Sequence, residues 1–140
     1  AGTENLAAIV GMVAALKEDL EQQAEHYQKL EGLKSAFLDE IADLEYYLNE
    51  SQHQLPYVVN IGFPGQKNDL LLLRLDLEGI SISTGSACTA GVVQASHVLE
   101  AFYGPDSHRL KESVRISLSP LNTEEELKQL AQALKNIIGD

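Results

Sequence analysis

The segment Pro56-Tyr57-Val58-Val59-Asn60-Ile61-Gly62-Phe63-Pro64-Gly65 decides how the chain is read. Its β-branched and aromatic residues predict a strand, and Pro64-Gly65 ends it with a turn. Downstream, Ser113-Val114-Arg115-Ile116-Ser117-Leu118-Ser119 alternates, with Val114, Ile116 and Leu118 on one face and Arg115 and Ser117 on the other. Leu44, Tyr46 and Leu48 alternate with Glu45, Tyr47 and Asn49, the pattern of a short half-buried strand. Ile80-Ser81-Ile82-Ser83 reads as a further short strand.

Helical signals separate these strands. Asn68 is placed to cap a helix from Asp69 to Leu77, with Gly79 where a left-handed C-terminal residue belongs. Ser96 caps Val98 to Phe102, which Gly104-Pro105 stops. Asp106 to Glu112 is polar, with room for one helical turn. Thr123-Glu124-Glu125-Glu126 is a capping box ahead of Leu127, Leu130, Ala131, Leu134, Ile137 and Ile138 on one stripe. The N-terminal third predicts one long helix capped by Thr3, with Leu6, Ile9, Val10, Val13, Leu16, Leu20, Ala24, Tyr27 and Leu30 at three-and-four spacing. Leu33, Phe37 and Ile41 continue that stripe past Gly32, and the spacing favours a helix packed on its own domain over a coiled coil. The expected architecture is α+β: a small, mostly antiparallel sheet packed by helices, in the order α-β-β-α-β-α-β-α. The expected division is a long linking helix over residues 1–41 and an α+β body over residues 42–140.

Composition bounds the function. The 140 residues are 44% apolar and carry a net charge of −11, so a packed core is expected and a nucleic-acid partner is not. The longest unbroken apolar run, Leu70-Leu71-Leu72-Leu73, is far short of a membrane span, and no basic-then-apolar leader opens the chain. A soluble, cytoplasmic protein is the expectation. One cysteine excludes an internal disulfide, and His26, His53, His97 and His108 lack ligand-like spacing, so no metal is expected.

That cysteine is the first candidate for chemistry. Cys88 lies in Thr84-Gly85-Ser86-Ala87-Cys88-Thr89-Ala90-Gly91, among residues no larger than threonine. A core cysteine is usually flanked by bulky apolar residues; a presented thiol benefits from small ones. No basic residue adjoins it, so any lowering of its pKa must come from the fold. Read alone, composition favours an inert buried residue, the commoner fate of a lone intracellular cysteine. Arg115, on the polar face of its strand, can grip a carboxylate through two parallel hydrogen bonds, or pair with one of the many acidic side chains. Thr3 offers a hydroxyl at a helix start, as an anion site or an ordinary cap.

Taken together, four ordered stretches resemble the C-terminal part of a NifS-like cysteine desulfurase of the class-V aminotransferases. They are Gly2-Thr3-Glu4-Asn5 with Ile9-Val10-Gly11; Leu55-Pro56 through Phe63-Pro64-Gly65; Ile82-Ser83-Thr84-Gly85-Ser86-Ala87-Cys88 with Ser96-His97-Val98-Leu99; and Val114-Arg115-Ile116-Ser117-Leu118 with Asn122-Thr123-Glu124-Glu125-Glu126. Ser119 departs from the glycine that the family often has there. The resemblance implies the C-terminal domain of a fold-type I enzyme. That enzyme uses pyridoxal phosphate to convert L-cysteine to alanine and a cysteine persulfide, which passes to a sulfur-acceptor protein for iron–sulfur cluster assembly or tRNA thiolation. On that reading Cys88 is the nucleophile, Arg115 holds the substrate carboxylate, and Thr3 reaches the cofactor phosphate of the other subunit of a homodimer. The Ser-x-His-Lys stretch of the Schiff-base site is missing, so this length of chain alone is expected neither to bind the cofactor nor to act on cysteine. The competing readings are a stand-alone persulfide carrier and a structural α+β domain with a buried thiol.

Overall fold

In the computed structural model, which describes residues 2–51, 53–85 and 96–139, the segment around Asn60 is a strand, β2 (Val58–Gly62). It is the centre of a three-stranded antiparallel sheet. On one side lies β1 (Tyr47–Leu48), with Tyr47 opposite Gly62; on the other lies β3 (Ser113–Ser117), with Asn60 opposite Arg115. Val59, Ile61, Val114 and Ile116 are buried on one face, as the alternation predicts, while Asn60 and Arg115 share the other.

The helices are α1 (Leu6–Glu40), α2 (Asn68–Leu77), α3 (His97–Tyr103), α4 (Arg109–Glu112) and α5 (Glu124–Gly139). Leu30, Leu33 and Phe37 of α1, Leu71 and Leu75 of α2, and Leu127, Leu130 and Leu134 of α5 join the buried strand residues and Ile41 in one core. The α+β expectation therefore holds, and α1 and α5 pack together beneath the sheet. The capping box before α5 is reciprocal: the Glu126 amide donates to Thr123 Oγ1 (3.3 Å), and the Thr123 amide donates to Glu126 Oε2 (2.9 Å). Ser96 caps α3 by accepting from the Leu99 amide. Gly79, at φ 77°, closes α2 while the Ile80 amide donates back to the Leu75 carbonyl.

Five local expectations need correction. Helix α1 begins at Leu6, and Asn5, not Thr3, caps it by accepting from the Ala8 amide (3.1 Å). Asn68 is the first residue of α2, not its cap; its amide nitrogen donates instead to the Leu110 and Ser113 carbonyls at the start of β3. Only Tyr47 and Leu48 of the 44–49 alternation pair as a strand, because the Leu44 amide is taken by a turn to the Ile41 carbonyl. The 80–83 segment makes a single bridge, Ser83 opposite Arg115. Finally, α1 packs on its own domain only through its last turns. Leu6, Ile9, Val13, Leu16 and Leu20 are all more than 40% exposed, because no other element of the described chain covers them.

Candidate active site: the polar face of the sheet

The face of the sheet turned away from the core is built around β3. Every second residue of an antiparallel strand points the same way, so Ser113 and Arg115 share this face with Asn60 and with the backbone of Gly62. Gly62 leaves room there for Tyr47: a Cβ at this position would clash with the Cζ and hydroxyl end of its side chain.

Arg115 is half-buried and doubly fixed. Its backbone exchanges hydrogen bonds with Ser83, as donor at 2.6 Å and acceptor at 3.0 Å. Its Nε donates to Ser83 Oγ at 3.1 Å, and that hydroxyl donates to the Arg115 carbonyl at 3.3 Å. Among the described residues Arg115 has no ion pair, in a chain with 21 acidic residues. Pairing with an acidic neighbour, the ordinary fate of a strand arginine, is not what the described residues do. The guanidinium is instead held by its Nε edge, an orientation that suits reception of a carboxylate.

Ser83 begins the stretch that leads to Cys88, five residues further on. Cys88 itself lies outside the described residues. The far end of that stretch is α3, whose first residue is His97. The structure therefore brings the upstream end of the cysteine-bearing segment directly onto Arg115. It does not bring Thr3 there: Thr3 is exposed, ahead of a helix that runs for about 36 Å between Leu6 and Leu30 at 1.5 Å per residue.

A second cluster, which the sequence reading did not single out, adjoins Arg115. Arg109 lies over the Tyr47 ring at 4.1 Å and over the Tyr103 ring at 4.4 Å, and its Nη1 donates to Asn49 Oδ1 at 2.6 Å. Asn49 Nδ2 donates to Asn60 Oδ1 and to Ser113 Oγ, both at 2.8 Å. The Tyr47 hydroxyl donates to Glu112 Oε2, and Glu112 Oε1 accepts from the Gly65 amide. Burial raises the Tyr47 phenol above its ordinary value, with the neighbouring Glu112 carboxylate acting in the same direction. These residues come from four separated parts of the chain, so no spacing rule along it marks them.

The described residues do not by themselves fit pyridoxal phosphate. Lys29 donates to the Pro120 carbonyl, Lys34 pairs with Glu50 and Lys135 with Asp43. Of the other lysines, Lys17 and Lys128 lie on α1 and α5, Lys67 precedes α2 and Lys111 is in α4. None is joined to Arg115 or Ser83. No described group of three acidic, His or Cys side chains could hold a metal ion, and no described helix is long and apolar enough to cross a membrane.

Comparison with known proteins gives a consistent pattern. The chain is 41% identical to a Bacillus subtilis protein described as a candidate cysteine desulfurase, IscS 1, over 99% of its own length and 37% of that protein's. It is 35% identical to the cysteine desulfurase IscS of Dictyoglomus turgidum, again over 99% of this chain and 36% of the relative. Among solved structures, the NifS-like protein of Rickettsia africae superposes with a TM-score of 0.83 at 27% identity, covering all of this chain and 36% of that one. The chain thus spans little more than a third of the relatives it matches. The family model described as aminotransferase class-V matches residues 1–130, and the family implies pyridoxal phosphate chemistry. With that match over nearly its whole length, this chain belongs to the class-V aminotransferase family.

Proposed function

We propose that the chain is the small-domain part of a pyridoxal-phosphate-dependent cysteine desulfurase. Residues 1–41 form its linking helix, and residues 42–140 form the α+β domain that carries the sulfur chemistry. One observation carries the reading. A half-buried arginine, without an ion pair among the described residues, is hydrogen-bonded to Ser83, five positions ahead of the only cysteine. Arg115 grips the carboxylate of L-cysteine. The Cys88 thiolate receives the substrate sulfur: the substrate C–S bond breaks, an S–S bond forms on Cys88, and the products are L-alanine and a Cys88 persulfide. The cofactor, when bound, supplies the electron sink for that cleavage. Its lysine belongs to a part of the enzyme beyond this chain. Thr3, far along α1 from Arg115, serves the cofactor phosphate of the other subunit in a homodimer. The persulfide then passes to an acceptor protein in the cytoplasm, for iron–sulfur assembly or tRNA thiolation.

The test uses the intact desulfurase. Cys88→Ser abolishes alanine release and persulfide formation. Arg115→Ala raises KM for L-cysteine by about tenfold or more, the loss of a charge-assisted bidentate contact. An unchanged KM in Arg115→Ala sinks the substrate assignment. The carrier reading, which the lack of a suitable lysine favours, predicts instead that Cys88 accepts sulfur from a persulfide donor in a protein that releases no alanine at all.

A further inference from the structure

The Arg109 cluster has no part in the chemistry described so far, yet it ties α3 to the sheet. That helix has seven residues, of which only Leu99 is fully buried; Val98 and Phe102 are 51% and 69% exposed. The ring of its last residue, Tyr103, is centred 4.4 Å from the Arg109 guanidinium carbon, and the same guanidinium lies 4.1 Å over the ring of Tyr47 in β1. One guanidinium over two rings ties three elements together at one point. From there the hydrogen bonds run through Asn49 to Asn60, whose Cα partner across the strands is Arg115.

Resting on the desulfurase reading above, we propose that Arg109 is a positioning residue: clamped between Tyr47 and Tyr103, it seats α3 on the sheet face that carries Arg115. The segment bearing Cys88 then has both ends referred to one rigid platform, at Ser83 through Arg115 and at α3 through Arg109. Arg109 touches no reacting atom. Its contribution is to the geometry between the bound carboxylate and the thiol. It therefore affects the rate of sulfur transfer and leaves binding of L-cysteine unaltered.

Two measurements test this. In the intact enzyme, Arg109→Ala lowers kcat for alanine release by about tenfold while KM for L-cysteine stays within about twofold, the signature of lost alignment with substrate binding kept. Arg109→Lys does not restore the rate, because an ammonium has no plane for two rings to cover. Tyr103→Leu, which removes one jaw of the clamp without touching Arg109, gives the same split. In the 140-residue chain, hydrogen exchange of the α3 amides is at least about tenfold faster in Arg109→Ala, with the α5 amides unchanged. Unchanged kcat overturns the proposal, as does a raised KM, which would place Arg109 on the substrate. Unchanged α3 exchange overturns the clamp itself. A wild-type enzyme that releases no alanine removes the desulfurase reading, and with it the catalytic role given to Arg109, while the exchange experiment still reports whether the clamp exists.

Discussion

The two halves of α1 carry the same apolar stripe and meet opposite fates. From Leu30 onward the stripe is sealed: Leu30, Leu33 and Phe37 are 6%, 4% and 0% exposed against the sheet and α5. Ahead of it, Leu6 and Leu20 are 68% and 60% exposed. Periodicity records which side of a helix is apolar, and says nothing about whether the same chain supplies the cover. The composition does distinguish the halves. Leu6 to Leu16 contains no charged or polar side chain on any face, whereas the packed half carries Glu31, Lys34, Asp39 and Glu40 around its buried stripe. An all-round apolar helix is the kind that is enclosed; a one-sided stripe is the kind that lies on a surface.

The largest expected difference between the halves is in core truncation. Phe37→Ala removes a fully buried ring and should cost about 3–5 kcal/mol, the usual range for large-to-small changes with a residual cavity. Leu16→Ala, in the free half, should move the unfolding midpoint of the packed body by no more than about 0.5 kcal/mol. Urea denaturation followed by a probe in the sheet distinguishes them. Equal losses at the two sites would mean that the free half folds against something in this chain.

Helix capping gives the next contrast. Thr123→Ala breaks a reciprocal capping box on a helix that faces the core and should cost about 1 kcal/mol globally. Asn5→Ala removes a single-bond cap from the free end of α1, and should alter helix content by circular dichroism without shifting the cooperative transition.

The elements that could be read from the sequence share one property: their signal is local. The strand at 58–62, the alternation around Arg115 and the capping box at Thr123 are each complete within about seven residues. What could not be read is what the fold decides between distant residues. Asn68 looks like a cap by its neighbours, and becomes a bracket for the Leu110 and Ser113 carbonyls because β3 passes beside it. Ile80 to Ser83 looks like a strand by composition, yet makes only the one bridge to Arg115. Arg115 was legible as a candidate from its place on a polar strand face, but its Ser83 partner was not. Arg109, Tyr47 and Tyr103 were invisible, since a cation between two rings leaves no spacing rule along the chain.

Glycines sharpen the comparison at smaller scale. Gly11 and Gly32 both lie on exposed faces of α1, and a Cβ at either would meet nothing within 4 Å. Gly32→Ala should raise the stability of the packed body by about 0.5–1 kcal/mol, since helix formation there is coupled to the core. Gly11→Ala should raise only the local helicity of the free half. A common shift in the global midpoint would show that the two halves unfold as one unit.

The smallest expected effect is electrostatic and belongs to the packed half alone. Lys34 on α1 pairs with Glu50, just beyond β1, and Gln54 donates to the same carboxylate oxygen at 2.9 Å. The Lys34 contact, with help from Gln54 and against some desolvation, holds Glu50 below its ordinary value of 4.5. A carboxylate whose folded pKa is depressed binds fewer protons than its unfolded counterpart. Its contribution to stability is therefore complete above the unfolded value and is lost as pH falls through the folded one. Glu50 is 40% exposed, so solvent screening limits the pair to a few tenths of a kcal/mol. Glu50→Gln should accordingly flatten a small part of the acid limb below pH 4.5 and leave stability at neutral pH lower by that amount. In the free half Asp19 lies 3.9 Å from His26 within α1 itself, and Asp19→Asn should leave the acid limb of the global transition unmoved. An Asp19→Asn effect as large as that of Glu50→Gln would mean that the free half contributes to the cooperative unit after all.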